Sequence, residues 1–350
     1  MTVALPVIPA PPAATPAAPL AYSPHLDLDD AVRRMGGKVP LTWARSVKGV
    51  ANFGDVASVV VVAAISGCLP FARAHSDQFI RLAAIGTIGQ SQQFGTVHVW
   101  GTGFDAKLRA FGDRHAGFAA APHTRYVVHA TRGPHSRRTL LGAGITAPPI
   151  YGDGAWFLPR ILPRPATEPT HELGVIVHLS ELDAIRVDGR PVHARYRHGE
   201  ADGVRIIHTL HEASEEGFRG KLAEILSCRR IASTSLHGLI IAESYGIPCI
   251  AFPFRGQGEM AFDLEGGEVD HRYADFYRGA GRAVLPAFAQ PFGAETAWDE
   301  VIAAIDRHWT PLLPPRLDSF FEAFPLTPRV GFDQPVWEMP PELLAQLPWQ

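Results

Sequence analysis

A chain of 350 residues is long enough for about two domains. With 46% hydrophobic and 19% charged residues it can bury a sizeable core, which excludes wholesale disorder. A formal net charge of −3 gives no broad electrostatic footprint for nucleic acid, although a local cationic pocket is compatible with it. The 33 glycines and 31 prolines call for many turns. Of 32 basic residues only four are lysine, and Asn52 is the one asparagine in the chain. Cys68, Cys228 and Cys249 have no metal-type spacing and no disulfide framework, which fits buried thiols in a reducing compartment. No apolar run reaches the ~18 residues that suggest a membrane-spanning helix.

Residues 1–25 are rich in Ala and Pro and read as a disordered tail. They lack the basic start and apolar centre of a signal peptide, so the expected location is cytoplasmic. A first domain is expected over 26–160. Pro40–Arg45 is a strand candidate. Asp55 is a candidate N-cap for a helix over Val56–Ile65, with Gly67 as its stop. The β-branched run Val59–Val62 also suits a strand. Strands are expected at Arg81–Ile85, Thr96–Trp100 and Arg125–His129, then a helix over His135–Leu141. Each strand ends in a glycine-bearing or polar turn, as in open α/β sheets that bind ligands beyond the strand carboxyl ends. The proline-dense stretch around 161–170 reads as a linker.

The alternation restarts over 171–325. Strands are expected at Leu173–His178, Val204–Ile207, Arg230–Ser233 and Pro248–Phe252. Helices are expected at Ser214–Cys228, Ser235–Tyr245 and Glu295–Trp309. Residues 326–350, with Trp337 and Trp349, form a C-terminal tail that packs back on a domain or docks on a partner. The fold class is therefore α/β: two Rossmann-like domains facing a cleft, GT-B-like in plan.

The most informative stretch is Ile231–Gly238, a strand-to-helix junction. Ser235 is placed to cap the helix, and His237 and Gly238 fall in its first turn. Free N–H groups and the helix dipole make that turn an anion site, where a histidine can exchange a proton with the ligand. A histidine that only satisfies a cap or the core is the plainer alternative.

Ser233–Pro248, reading STSLHGLIIAESYGIP, resembles the signature of the polysaccharide pyruvyl transferase family. Other segments agree in order: Asn52-Phe53-Gly54-Asp55, Val99–Phe104, Thr131-Arg132-Gly133-Pro134-His135-Ser136, Tyr151-Gly152-Asp153, Val177-His178 and Arg272–Tyr277. The likeness spans roughly residues 40–285. Gly154 stands where the family commonly has Pro, and Ser235 where many relatives carry Arg.

The resemblance implies transfer of a pyruvyl group from phosphoenolpyruvate to a hydroxyl pair of an exopolysaccharide repeat unit, forming a ketal. The acceptor would be lipid-linked or polymeric, with peripheral association at the inner face of the cytoplasmic membrane. Phosphoenolpyruvate is the donor substrate, with no cofactor and no metal; no HExxH pattern occurs. His237 is the expected acid/base and His178 a second. Arg132, Arg255, Ser235 and Gly238 are the expected donor contacts, since guanidinium forks suit phosphate and carboxylate. Asn52 and Asp55 are expected to shape the acceptor site. Glu243, six residues after His237, is expected to face solvent or the opposite domain. Phe252 and Phe254 could stack on a sugar or pack in the core. Two other readings stand beside this one: a nucleotide-sugar glycosyltransferase of the same build, and a non-catalytic glycan-binding protein.

Overall fold

The computed structural model describes residues 27–113, 116–197 and 203–350. The tail expected at 1–25 lies outside them.

The first half runs α1 (Leu28–Arg34), β1 (Lys38–Thr42), β2 (Val50–Asn52), α2 (Phe53–Ser66), β3 (Leu69–Ala72), β4 (Arg81–Ala83), β5 (Gly95–Trp100), β6 (Thr124–Ala130) and α3 (Pro134–Gly142). Its sheet has the order β3-β1-β4-β5-β6 with every pairing parallel. The β-branched run Val59–Val62 lies in α2. That helix is buried almost all round, so tertiary packing overrides the strand preference of valine. Its N-cap is Asn52, whose side chain accepts from the Gly54 N–H, and Gly67 closes it in the left-handed conformation. Asp55 is thus not the cap; it lies inside the first turn.

After α4 (Leu158–Ile161), which carries Pro159 in its first turn, come β7 (Leu173–Val177), β8 (Val204–His208), β9 (Leu210–Glu212) and α5 (Glu215–Leu226). Then follow β10 (Ile231–Ser233), α6 (Leu236–Ser244), β11 (Cys249–Ala251), β12 (Gly258–Asp263), α7 (His271–Gly279), β13 (Val284–Ala289) and α8 (Trp298–His308). The second sheet has the order β12-β13-β11-β10-β7-β8 and is parallel except for β12. The chain is therefore a mixed α/β protein with two largely parallel sheets. Strands β3, β12 and β13 and helix α7 had no counterpart in the sequence reading.

Two features tie the halves together. Strands β2 and β9 pair antiparallel, Val50 opposite Glu212 and Asn52 opposite Leu210. The C-terminal segment, α9 (Leu317–Glu322) and α10 (Pro341–Leu344) included, returns across the first half. The Trp100 indole donates to the Phe320 carbonyl at 2.8 Å and stacks on the Phe320 ring. Trp337 is buried against Phe157 and Phe321, and Trp349 lies on Phe218. The tail thus packs back on this chain. Among the described residues no helix is long and apolar enough to cross a membrane.

Candidate active site

Three helix starts meet between the sheets. Asn52 caps α2, Asp153 caps a short 3-10 turn over Gly154–Phe157, and Ser235 holds the N-cap position of α6. The 3-10 turn packs against both α2 and α6. Their N–H groups and dipoles favour negative charge at the junction, where Asp55 and Asp153 lie.

His237 stands at this junction. Its ring lies so close to Gly54 that a Cβ there would run into Nδ1, so the start of α2 must be bare. Its Nε2 faces Asp153 Oδ2 at 3.7 Å, and neither atom has a hydrogen-bond partner although both are buried. The other Asp153 oxygen accepts from the Ala155 N–H at 3.0 Å, which fixes the carboxylate. At that distance the carboxylate balances the charge of the imidazole when it carries a second proton. Asp153 sits in the quoted Tyr151-Gly152-Asp153 segment; sequence reading singled out the segment but gave the aspartate no role.

Asp55, half-buried, completes the group. Burial raises its carboxyl from 3.8 to about 6, while His237 pulls it down. Its Oδ1 lies beside Gly86, at the end of β4. The acceptor residues expected from sequence therefore divide: Asp55 faces His237, and the Asn52 side chain is engaged in capping.

The Ser235 hydroxyl makes no capping bond, contrary to expectation. Ser233 takes over the local turn: its Oγ accepts from the Ser235 N–H at 3.0 Å and donates to the Ser235 carbonyl at 2.9 Å. Gly238 is required by packing, because a Cβ would meet Ser233 Oγ and Ile176. His178 follows β7, and its N–H donates to Thr234 Oγ1 at 2.7 Å, which joins it to the strip leading to His237. Its Nδ1 pairs with Ser180 Oγ at 2.8 Å and its Nε2 lies 3.4 Å from Arg272 Nη1. Burial, then Arg272, lowers the His178 pKa, so this imidazole is neutral near pH 7.

Arg132 is only 1% exposed. Its Nε donates to Asp275 at 3.2 Å and its Nη1 to Thr87 Oγ1 at 2.6 Å, while Nη2 is buried without a partner. Asp275, on α7, also accepts from the Ser136 N–H and hydroxyl at 2.9 and 2.5 Å. Gly133 is bare because a Cβ would overlap the Asp275 carbonyl. The Arg132–Ser136 and Arg272–Tyr277 segments thus form one clamp, with one guanidinium nitrogen of Arg132 left over. Arg255 is exposed and lies over the Phe254 ring at 5.3 Å.

His178, Thr234, Phe254, Arg255 and Arg272 line a cleft of about 620 Å³ at the carboxyl ends of β7, β10 and β11. Phe252 is buried among Tyr196, Phe288 and Trp298. Glu243 is also buried: it accepts from Tyr277 Oη at 3.4 Å and Trp309 Nε1 at 3.3 Å, so it faces neither solvent nor the cleft. His208 and His211 satisfy local backbone groups, the Leu210 N–H and the Glu212 carbonyl.

A cleft beyond the strand carboxyl ends of a parallel sheet and, three residues after its lining residue Thr234, a histidine facing a carboxylate define an α/β protein with the parts for acid–base chemistry on a bound ligand. Comparison with known families narrows the class. The model of the polysaccharide pyruvyl transferase family matches residues 94–254. The matched stretch contains Arg132, Asp153, His178, His237 and Gly238, and the resemblance read from the sequence holds across it. That description supports a transferase acting on polysaccharide. A search of curated proteins gave no match.

Proposed function

We propose that this chain transfers a pyruvyl group from phosphoenolpyruvate to two hydroxyls of an exopolysaccharide repeat unit. The build proposed is GT-B-like, with Rossmann-like domains over 26–160 and 171–325 and a linker at 161–170. The observation that carries the reading is the His237–Asp153 pair, set where three helix starts converge, inside the stretch that matches the family.

In this reading His237 protonates the methylene carbon of the donor, and C2 gains oxocarbenium character. A sugar oxygen attacks C2 and loses its proton. The C2–O bond to phosphate then breaks, and a second hydroxyl closes the ketal. One hydroxyl proton balances the new methyl group and the other leaves with phosphate, so no redox partner is needed. Asp153 holds the ring of His237. Asp55, with a midpoint near 6, is suited to take a hydroxyl proton. His178, neutral near pH 7, is a second base. Donor anions are assigned to the start of α6 at Ser235 and Gly238, to the spare Nη2 of Arg132 and to Arg255. The acceptor is lipid-linked or polymeric, met at the inner membrane face.

The test is calorimetric titration with phosphoenolpyruvate, UDP-sugars and GDP-sugars on the wild type and on His237→Ala and Asp153→Asn. Selective binding of phosphoenolpyruvate, kept in both variants while phosphate release with an accepted saccharide falls at least ~100-fold, is expected. Binding of a nucleotide sugar in place of phosphoenolpyruvate refutes the reading.

A further inference from the structure

The cleft is larger than a three-carbon phosphoester requires and falls in the roughly 300–1,000 Å³ range that encloses bulkier ligands. Half of its cations are already paired. Four cations line it, Lys107, Arg195, Arg255 and Arg272, with three carboxylates, Glu181, Glu268 and Asp270. Arg195 is paired to Glu181 at 2.6 Å and Arg272 to Asp270 at 2.8 Å. Paired ions beside an apolar ring suit a hydroxyl-rich ligand.

One wall carries a stack of flat groups. His193 lies on Phe292 with ring centroids 3.8 Å apart, and Phe292 lies on Phe254 at 4.3 Å. Phe254 is 43% exposed. Phe292 stacks on the ring, and the Arg255 guanidinium lies 5.3 Å from its centroid. No carboxylate holds Arg255 among the ion pairs of the described residues, so it can leave the ring without breaking one.

We propose that Phe254, backed by Phe292 and His193, is the platform for a sugar ring of the saccharide acceptor. The apolar face of a pyranose takes the place of Arg255 on the ring, and the displaced guanidinium turns toward the anionic donor or the sugar hydroxyls. The part-exposed Asp270–Arg272 pair supplies acceptors and donors for the hydroxyl edge. The platform rests on the pyruvyl-transfer reading for the identity of its ligand.

Saturation-transfer NMR on the full chain tests it, with methyl β-glucopyranoside, methyl β-galactopyranoside, methyl α-mannopyranoside and UDP as probes. At least one glycoside is expected to bind through its ring-face protons, about tenfold more weakly to Phe254→Ala and with near wild-type strength to Phe254→Trp. Phosphoenolpyruvate affinity, measured in parallel, stays unchanged in both variants. An undiminished glycoside signal in Phe254→Ala, displacement of the glycoside by UDP, or no glycoside signal in the wild type overturns the platform. Failure of phosphoenolpyruvate to bind the wild type overturns the pyruvyl reading instead, so the two failures are distinguishable.

Discussion

Replacing Glu243 with Gln should stabilise the protein above neutral pH and leave catalysis intact. The carboxyl is buried between Trp309 and Tyr277, and burial raises its midpoint from 4.5 to about 7 against the pull of those donors. The folded state then binds more protons than the unfolded state between pH 4.5 and about 7. Stability is therefore lost as pH rises through that window, and the loss is constant above it. Moving the midpoint that far corresponds to about 3 kcal/mol once both states are ionised. Gln keeps an oxygen to accept from one neighbour and carries no charge to desolvate. Urea unfolding of both proteins at pH 5 and pH 8 should show the advantage of Glu243→Gln growing by about 2–3 kcal/mol between the two. Parallel stabilities at the two pH values would falsify the burial argument.

The remaining predictions concern the site and its supports. Arg132→Ala strands Asp275 in the interior and should cost about 3–5 kcal/mol, read as a lower unfolding midpoint that Asp275→Asn partly restores. Donor binding at that guanidinium is accordingly better probed with Arg132→Lys. Gly54→Ala pushes a methyl group into the imidazole of His237; it should lower turnover at least ~10-fold while phosphoenolpyruvate still binds in calorimetry. Asp55→Asn should remove the acidic limb of the kcat/KM profile, whose midpoint lies near 6, together with most of the rate. Trp337→Ala empties a buried site between the tail and the first half and should cost about 3–5 kcal/mol in chemical denaturation.

Local chemistry wrote much of this protein into its sequence. Gly67 stops α2 because its positive φ suits glycine, so the end of that helix was legible although its cap is Asn52 and not Asp55, and α5 was legible from its length. The ordered motifs led to the pyruvyl transferase resemblance, which the match over 94–254 supports. Tertiary structure decided what no local signal encodes. Asp153 meets His237 only because the 3-10 turn it caps packs between α2 and α6. Asn52 and Asp55 lie three residues apart, yet one caps a helix and the other faces the site, a division set by the turn geometry. Glu243 has a polar side chain on a helix that offers no amphipathic pattern, so only the packing of Trp309 and Tyr277 revealed its burial. The short strand β12 pairs antiparallel along the sheet edge, and its register exists only once β13 is in place. The family resemblance supplied the candidate chemistry, but its geometry came from contacts between segments distant in the chain.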